Sequence, residues 1–547
     1  MPATRYALCQ SFFVSLLLLG LLMPPPAQAA TLALERSSFD LPGPPVMILP
    51  VDLNADGRLD LAVVVVATSW QEIGITETSK LDDVEGLVEV MTVVPALLDR
   101  RELRAFLREP SGYRALEPLE LPPGVLTVEK GPPAEPLLAL TDEGISTIKL
   151  DAEGKLQLEA IVADPPVIAG SGQLISGLGL AQDLDGDGTP DFLLPGRDGL
   201  AIYLAQGGAL SRQPAARLSL PLDERLPGEA AHYRERLVRH YPLPLVMDFD
   251  GDRKPDLLVR NFQREWNQFQ LLRSLGGGRF AKPQSPLGDR PREAKPRVVF
   301  VGDLDGDGRA ELVTQTEPPE PEDDSLKKSL EAARRPKSTL EVHRLSPDLQ
   351  MVPSPSTRFD IEGYAMAGDG DIRLPGGFQD LNGDGRLDLV AINLDFSLFE
   401  AVRVLAAKRI KLGLDFNLWC QQADGSFRPV KGLDLSGQFT LNFSSLHVGQ
   451  LSLFAGDFDG DGRADFVQMG RGKRVTLHLG RADCSYPSAP DYSIDLAEPI
   501  ADLSLVKVED LNGDHRADLA IVQPGARSED GTTSPVRLEL YLSGGQR

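Results

Sequence analysis

Short apolar runs alternate along the chain with polar bends. Runs such as Leu61 to Val66, Leu257-Leu258-Val259, Val299-Phe300-Val301 and Leu389-Val390-Ala391 are strand-length and partly β-branched. They flank an acidic nine-residue pattern, D-x-[DN]-x-D-x-x-x-[DE], which recurs seven times, beginning at Asp52, Asp183, Asp248, Asp303, Asp380, Asp457 and Asp510. An apolar run on each side of a tight polar bend predicts a β-hairpin with the pattern at its turn. A second hairpin follows in several units, as around Gly276-Gly277-Gly278 and around Gly425. Two hairpins make a four-stranded antiparallel sheet, and a regular series of such sheets predicts an all-β fold, a β-propeller.

The pattern starts are 131, 65, 55, 77, 77 and 53 residues apart. The first interval is about twice the others, so one unit there lacks the pattern. Its strand-like runs lie in residues 124–161, and its turn, Glu129 to Glu135, has no carboxylate spacing; it is expected to be a metal-free blade. A period of about 65 residues gives about eight units, with a seven-bladed ring as the alternative. The last unit stops after three strands, ending at Val536 to Leu542, and the segment 31–41 reads like the missing fourth. Pairing the two would close the ring and leave fewer open edges. Three stretches, about 229–239, 325–335 and 397–410, read as short helical insertions.

Residues 1–29 read as a secretory signal peptide: Arg5, an apolar run from Phe12 to Met23, and the small-x-small site Ala27-Gln28-Ala29. The run is short of the roughly 20 residues that span a bilayer. Residues 30–547 are therefore expected to form one propeller domain, secreted or periplasmic, with no membrane span and monomeric. Cys420 and Cys484 remain after processing, and in an oxidising compartment they could pair; spacing alone leaves this open.

The bends carry the candidate chemistry. Asp or Asn at positions 1, 3 and 5, a backbone carbonyl at position 7 and a carboxylate at position 9 point oxygens at one centre, while Gly at position 6 permits the bend. A hard cation such as calcium wants six to eight oxygens, whereas zinc and copper prefer nitrogen and sulfur. The expected ligands are Asp52, Asn54, Asp56 and Asp60; Asp183, Asp185, Asp187 and Asp191; Asp248, Asp250, Asp252 and Asp256; Asp303, Asp305, Asp307 and Glu311; Asp380, Asn382, Asp384 and Asp388; Asp457, Asp459, Asp461 and Asp465; and Asp510, Asn512, Asp514 and Asp518. About seven structural Ca²⁺ sites follow. Arg253 and His515 replace the position-6 glycine, so their loops are expected to bind more weakly. An EF-hand is excluded, because position 12 is Val63 in the first copy and Leu194 in the second.

Charge agrees with this reading. The chain has 80 Asp and Glu, 56 Lys and Arg, and a formal net charge of -24. Twenty-five of the acids occupy ligand positions, leaving 55 against the 56 bases. The acidity is thus concentrated in the bends, and it argues against a nucleic-acid partner.

The loops DLDGDGRAE and DLNGDGRLD resemble those of FG-GAP/VCBS repeat proteins, the family of integrin α-subunit propellers and many secreted bacterial proteins. The resemblance implies a propeller with calcium in the turn between the first two strands of each blade. The Phe-Gly…Gly-Ala-Pro part of the integrin pattern is not evident here. The family includes adhesion modules, lectin-like proteins and polysaccharide lyases, so the resemblance fixes fold better than activity. No nucleophile elbow, phosphate-binding glycine loop or zinc-ligand spacing occurs. The expected function is a binding or adhesion module for a protein or polysaccharide ligand, the alternative a lyase-like polysaccharide-processing enzyme. No catalytic residue is assigned.

Overall fold

The computed structural model describes residues 30–544 apart from 33, 68–92, 95–99, 170–173, 176, 221–222, 226–237, 241–243, 261–268, 288–295, 317–333, 366–376, 396–408, 432–434, 443–446, 450–452, 470–471, 501–504 and 524–534. The protein is an eight-bladed β-propeller of small antiparallel sheets, which decides between eight and seven. Blade 1 runs Pro45–Val51, Asp60–Ala67, Arg100–Glu109 and Gly112–Ala115. Blade 2, the unit without the acidic pattern, runs Val125–Lys130, Leu137–Thr141, Gly144–Leu150 and Leu156–Ala163. Blades 3 to 7 follow in chain order, with first strands at Ala181–Gln182, Leu245–Met247, Arg297–Gly302, Gly377–Gln379 and Leu453–Phe454. In blade 4 the fourth strand is reduced to a single bridge between Leu271 and Gln284.

Blade 8 is assembled from both ends of the chain. Leu505–Glu509, Asp518–Gln523 and Val536–Leu542 supply three strands, and Glu35–Leu41 pairs antiparallel with Val536–Leu542 from Glu35↔Leu542 to Leu41↔Val536. Just before it, Ala30–Thr31 pairs parallel with the outer strand of blade 7 at Tyr492 and Ser493.

The apolar runs are continuous rather than alternating because both faces of each sheet are buried. In blade 1, Leu61, Val63 and Val65 pack into blade 8, whereas Ala62, Val64 and Val66 pack into blade 2. The same division holds around the molecule: eight apolar clusters fill the interfaces between consecutive blades, including the one between blades 8 and 1. Trp419 lies in the cluster between blades 5 and 6, while Trp70 and Trp266 lie outside the described residues.

The expected helical insertions need correction. Among the described residues helix is confined to Arg334, at the end of the expected insertion 325–335, and every named element is a strand. Most of 229–239, 325–335 and 397–410 lies outside them, but Val238–His240 is a strand paired with Asp223–Arg225, and Arg409 and Ile410 begin the strand Arg409–Gln421. Pairing with a neighbouring strand overrides a weak local helical pattern there. The long connections 68–99, 317–336, 396–408 and 524–535 join second to third strands. They therefore leave the sheets at the end opposite the aspartate bends.

Candidate metal loops

Each of the seven bends joins the first two strands of a blade, so all lie at one end of the ring. Their backbone is held by their own carboxylates. In the blade 3 loop, Asp183 Oδ1 accepts the N–H of Gly186 at 2.7 Å and Oδ2 that of Gly188 at 2.8 Å. Asp185 accepts from Asp187 at 3.3 Å, and Asp187 from Thr189 at 2.7 Å. The same successive turns recur in the other loops, for example around Asp457 and Asp461.

Position 9 behaves differently from the rest. Asp60, Asp191, Asp256, Glu311, Asp388, Asp465 and Asp518 are all buried. In every loop this carboxylate accepts the N–H of position 2, from Leu53 at 2.9 Å to Leu511 at 2.8 Å. In six loops its other oxygen accepts an N–H at the far end of the third strand or just beyond: Arg108, Ala205, Ser274, Gln421, Gly480 and Ser543. The ninth residue thus staples the loop to the third strand of its own blade, a role its spacing alone does not reveal. Burial is the main cause that pushes these acids up, with the backbone donors opposing it. Asp191, Asp256, Asp388 and Asp518 rise to about 6, and Glu311 and Asp465 to about 7.

In four loops the acids at positions 1, 3 and 9 converge: Asp183, Asp185 and Asp191; Asp248, Asp250 and Asp256; Asp303, Asp305 and Glu311; and Asp457, Asp459 and Asp465. One oxygen from each lies within 4.8 Å of the others. Calcium binds oxygen at about 2.3–2.6 Å, so two oxygens on opposite sides of one ion stand up to about 5 Å apart. The all-oxygen donor set and its spread therefore fit a calcium ion. Blades 1, 6 and 8 carry Asn54, Asn382 and Asn512 at position 3, each accepting the position-5 N–H through its amide oxygen. Position 5 is not part of the converging groups; Lys254, Arg386 and Arg463 at position 7 instead pair with Asp252, Asp384 and Asp461 of their own loops. A fifth group, Asp388 with Cys420 and Cys484, is not a metal site in this state, because the two sulfurs form a disulfide.

Two positions carry left-handed backbone. Position 6 has positive φ in every loop, including Arg253 at 67° and His515 at 64°. Position 4 does as well, with glycine in six copies and Ala55, at 58°, in the first. The recurring glycine at position 4 was the sequence signal for this second bend, and it also reports close packing between loops. A methyl on Gly306 would stand 2.5 Å from the Gly385 carbonyl oxygen, and one on Gly383 2.4 Å from that of Gly462. Ala55 occurs where the next blade, blade 2, has no acidic loop.

Blade 2 contacts its neighbour by other means. Glu135, buried in its first turn, accepts the N–H of Leu210 at 2.8 Å and pairs with Arg212 at 2.6 Å, both in blade 3.

No curated protein matches the chain. Among solved structures, an Agrocybe aegerita lectin described by its recognition of non-reducing terminal N-acetylglucosamine is 16% identical, with 73% of this chain and 89% of that chain covered and a TM-score of 0.42. The Photorhabdus luminescens Tc holotoxin pore is 15% identical over 82% of this chain but 18% of its own, with a TM-score of 0.30. The exotype rhamnogalacturonan lyase YesX is 12% identical, with 94% of this chain and 75% of that chain covered and a TM-score of 0.34. The family model for FG-GAP-like repeats matches residues 248–314 and 380–468, the stretches that hold the loops of blades 4 to 7. The chain is an eight-bladed β-propeller protein with FG-GAP-like repeats.

Proposed function

We propose that this is a secreted or periplasmic, calcium-stabilised propeller that serves as a binding or adhesion module for a protein or polysaccharide. One observation carries the metal part: in four loops three carboxylate oxygens gather within 4.8 Å of one another. Without a cation, acids so close together repel. Calcium would supply the opposing charge, held by positions 1, 3, 5 and 9 and the position-7 carbonyl of each loop. The loops of blades 1, 6 and 8 would hold it with one carboxylate fewer.

On this reading residues 1–29 are a cleaved signal, residues 30–547 form one propeller domain, and blade 2 takes no metal. The disulfide Cys420–Cys484 and the absence of any long apolar helix among the described residues are compatible with an extracellular protein. The binding part rests on architecture. Eight packed interfaces make a rigid ring, and the strand ends joined by the longest connections lie at the end of the sheets away from the acidic loops. Such segments on a rigid scaffold are where recognition usually resides.

A glycan and extracellular-protein array, read with reducing-end release in parallel, tests this reading. Capture without release is expected. Sugar release would overturn the binding-only reading, and the absence of calcium from protein dialysed against it would overturn the metal assignment.

A further inference from the structure

The loops are wired to one another. Position 8 of one loop donates its backbone N–H into the loop of the preceding blade. Ala310 reaches the carbonyl of Phe249 at 3.2 Å, Leu387 that of Leu304 at 2.9 Å, and Ala464 that of Leu381 at 3.1 Å. Ala517 likewise reaches the carbonyl of Asp457 at 2.6 Å. In the first three cases the acceptor is position 2, whose own N–H is bonded to the position-9 carboxylate of its loop. The loops of blades 4 to 8 thereby form one hydrogen-bonded run.

The donor matters because of the peptide it belongs to. The N–H of position 8 and the carbonyl of position 7 are the two ends of one planar trans peptide unit and point in opposite directions. The position-7 carbonyl is the backbone oxygen assigned above to calcium. Drawing that oxygen onto a cation polarises the unit and strengthens the bond its N–H makes to the neighbouring loop. Glycine at position 4 lets the loops approach closely enough, as the tight contacts of Gly306 and Gly383 with the next loop show. The chain also contains its own breaks. Position 8 is Pro190 in blade 3 and Pro255 in blade 4, and proline has no N–H to donate.

We propose that the five loops of blades 4 to 8 bind calcium cooperatively, each filled loop raising the affinity of its neighbours through the peptide joining positions 7 and 8. The loop of blade 3 is uncoupled from that of blade 4 by Pro255. This inference rests on the loops holding calcium, and the experiment separates the two.

Full-length protein stripped with a chelator is titrated with Ca²⁺ by calorimetry, alongside Ala464→Pro and Pro255→Ala. Proline at position 8 is already tolerated in two loops of this chain. A464P divides the run of five into three and two. P255A extends it to six. Wild type is expected to show a Hill coefficient above 1, with A464P lowering it and weakening the midpoint affinity about five-fold, the low end of ordinary coupling between sites. P255A is expected to steepen the curve, and it decides the matter if A464P does not fold. Calcium uptake with a Hill coefficient of 1, unchanged by either proline exchange, overturns the coupling and leaves the metal reading standing. No uptake by any of the three overturns both.

Discussion

At the scale of single residues, the strained positions make the clearest predictions. Arg253 and His515 occupy left-handed backbone at position 6, where a side chain costs about 1–2 kcal/mol relative to glycine. R253G and H515G are each expected to stabilise the calcium-loaded protein by about 1 kcal/mol and to tighten calcium at their own loops, as read by denaturant unfolding and calorimetry. Unchanged stability in both would contradict the strain, because the backbone N–H bonds to Asp248 and Asp510 are made equally by glycine in the other loops. A second residue, Glu129, gives a pH signature outside the metal loops. Burial pushes its carboxyl up to about 7, against the opposing N–H groups of Gly179 and Leu180. The folded state therefore holds a proton that the unfolded chain releases near its ordinary value of 4.5. The stability tied to that proton is fully present below about 4.5 and is lost as pH rises through about 7. Glu129→Gln removes this dependence. Its melting temperature should match wild type near pH 4 and exceed it at pH 8; parallel curves at both pH values would contradict the assignment.

At the scale of elements, two devices bind loop to strand and blade to blade. The buried position-9 acids satisfy two backbone donors at once in six loops. Replacing Asp191 by alanine strands the N–H groups of Leu184 and Ala205, at about 1–3 kcal/mol for each buried donor, and unfolding in chelator isolates this cost from the lost metal ligand. The disulfide ties the third strand of blade 6 to the segment after the third strand of blade 7, with Cα atoms 5.8 Å apart. The double variant Cys420→Ser, Cys484→Ser is expected to lose about 2–4 kcal/mol in denaturant unfolding. A loss near zero would show that the apolar cluster between blades 6 and 7 suffices. The hairpins around the bends were legible because the motif fixes a turn and the apolar runs fix a strand on each side. The pairing of Val238–His240 and Arg409–Gln421 was not, since it depends on partners distant in the chain or on a short local bridge that periodicity does not register.

At the scale of the whole molecule, the sequence disclosed the period and therefore the blade number, because every blade repeats the same two-sided burial. It did not disclose how the loops touch. Contacts such as Ala464 to Leu381 join residues 83 positions apart, and only the closed ring brings them together. The ring also depends on the strand Glu35–Leu41, whose Phe39 packs against Phe106 of blade 1 at 4.1 Å between ring centres. Thermal unfolding tests the central claim most directly, with the protein in millimolar Ca²⁺, then in chelator, then after calcium is restored. Each loop filled at tenfold excess over its dissociation constant adds about 1.4 kcal/mol. The account predicts a large fall in melting temperature on chelation that calcium, but not added sodium, reverses. An identical melting temperature in calcium and chelator, with no calcium retained by the protein, would contradict it.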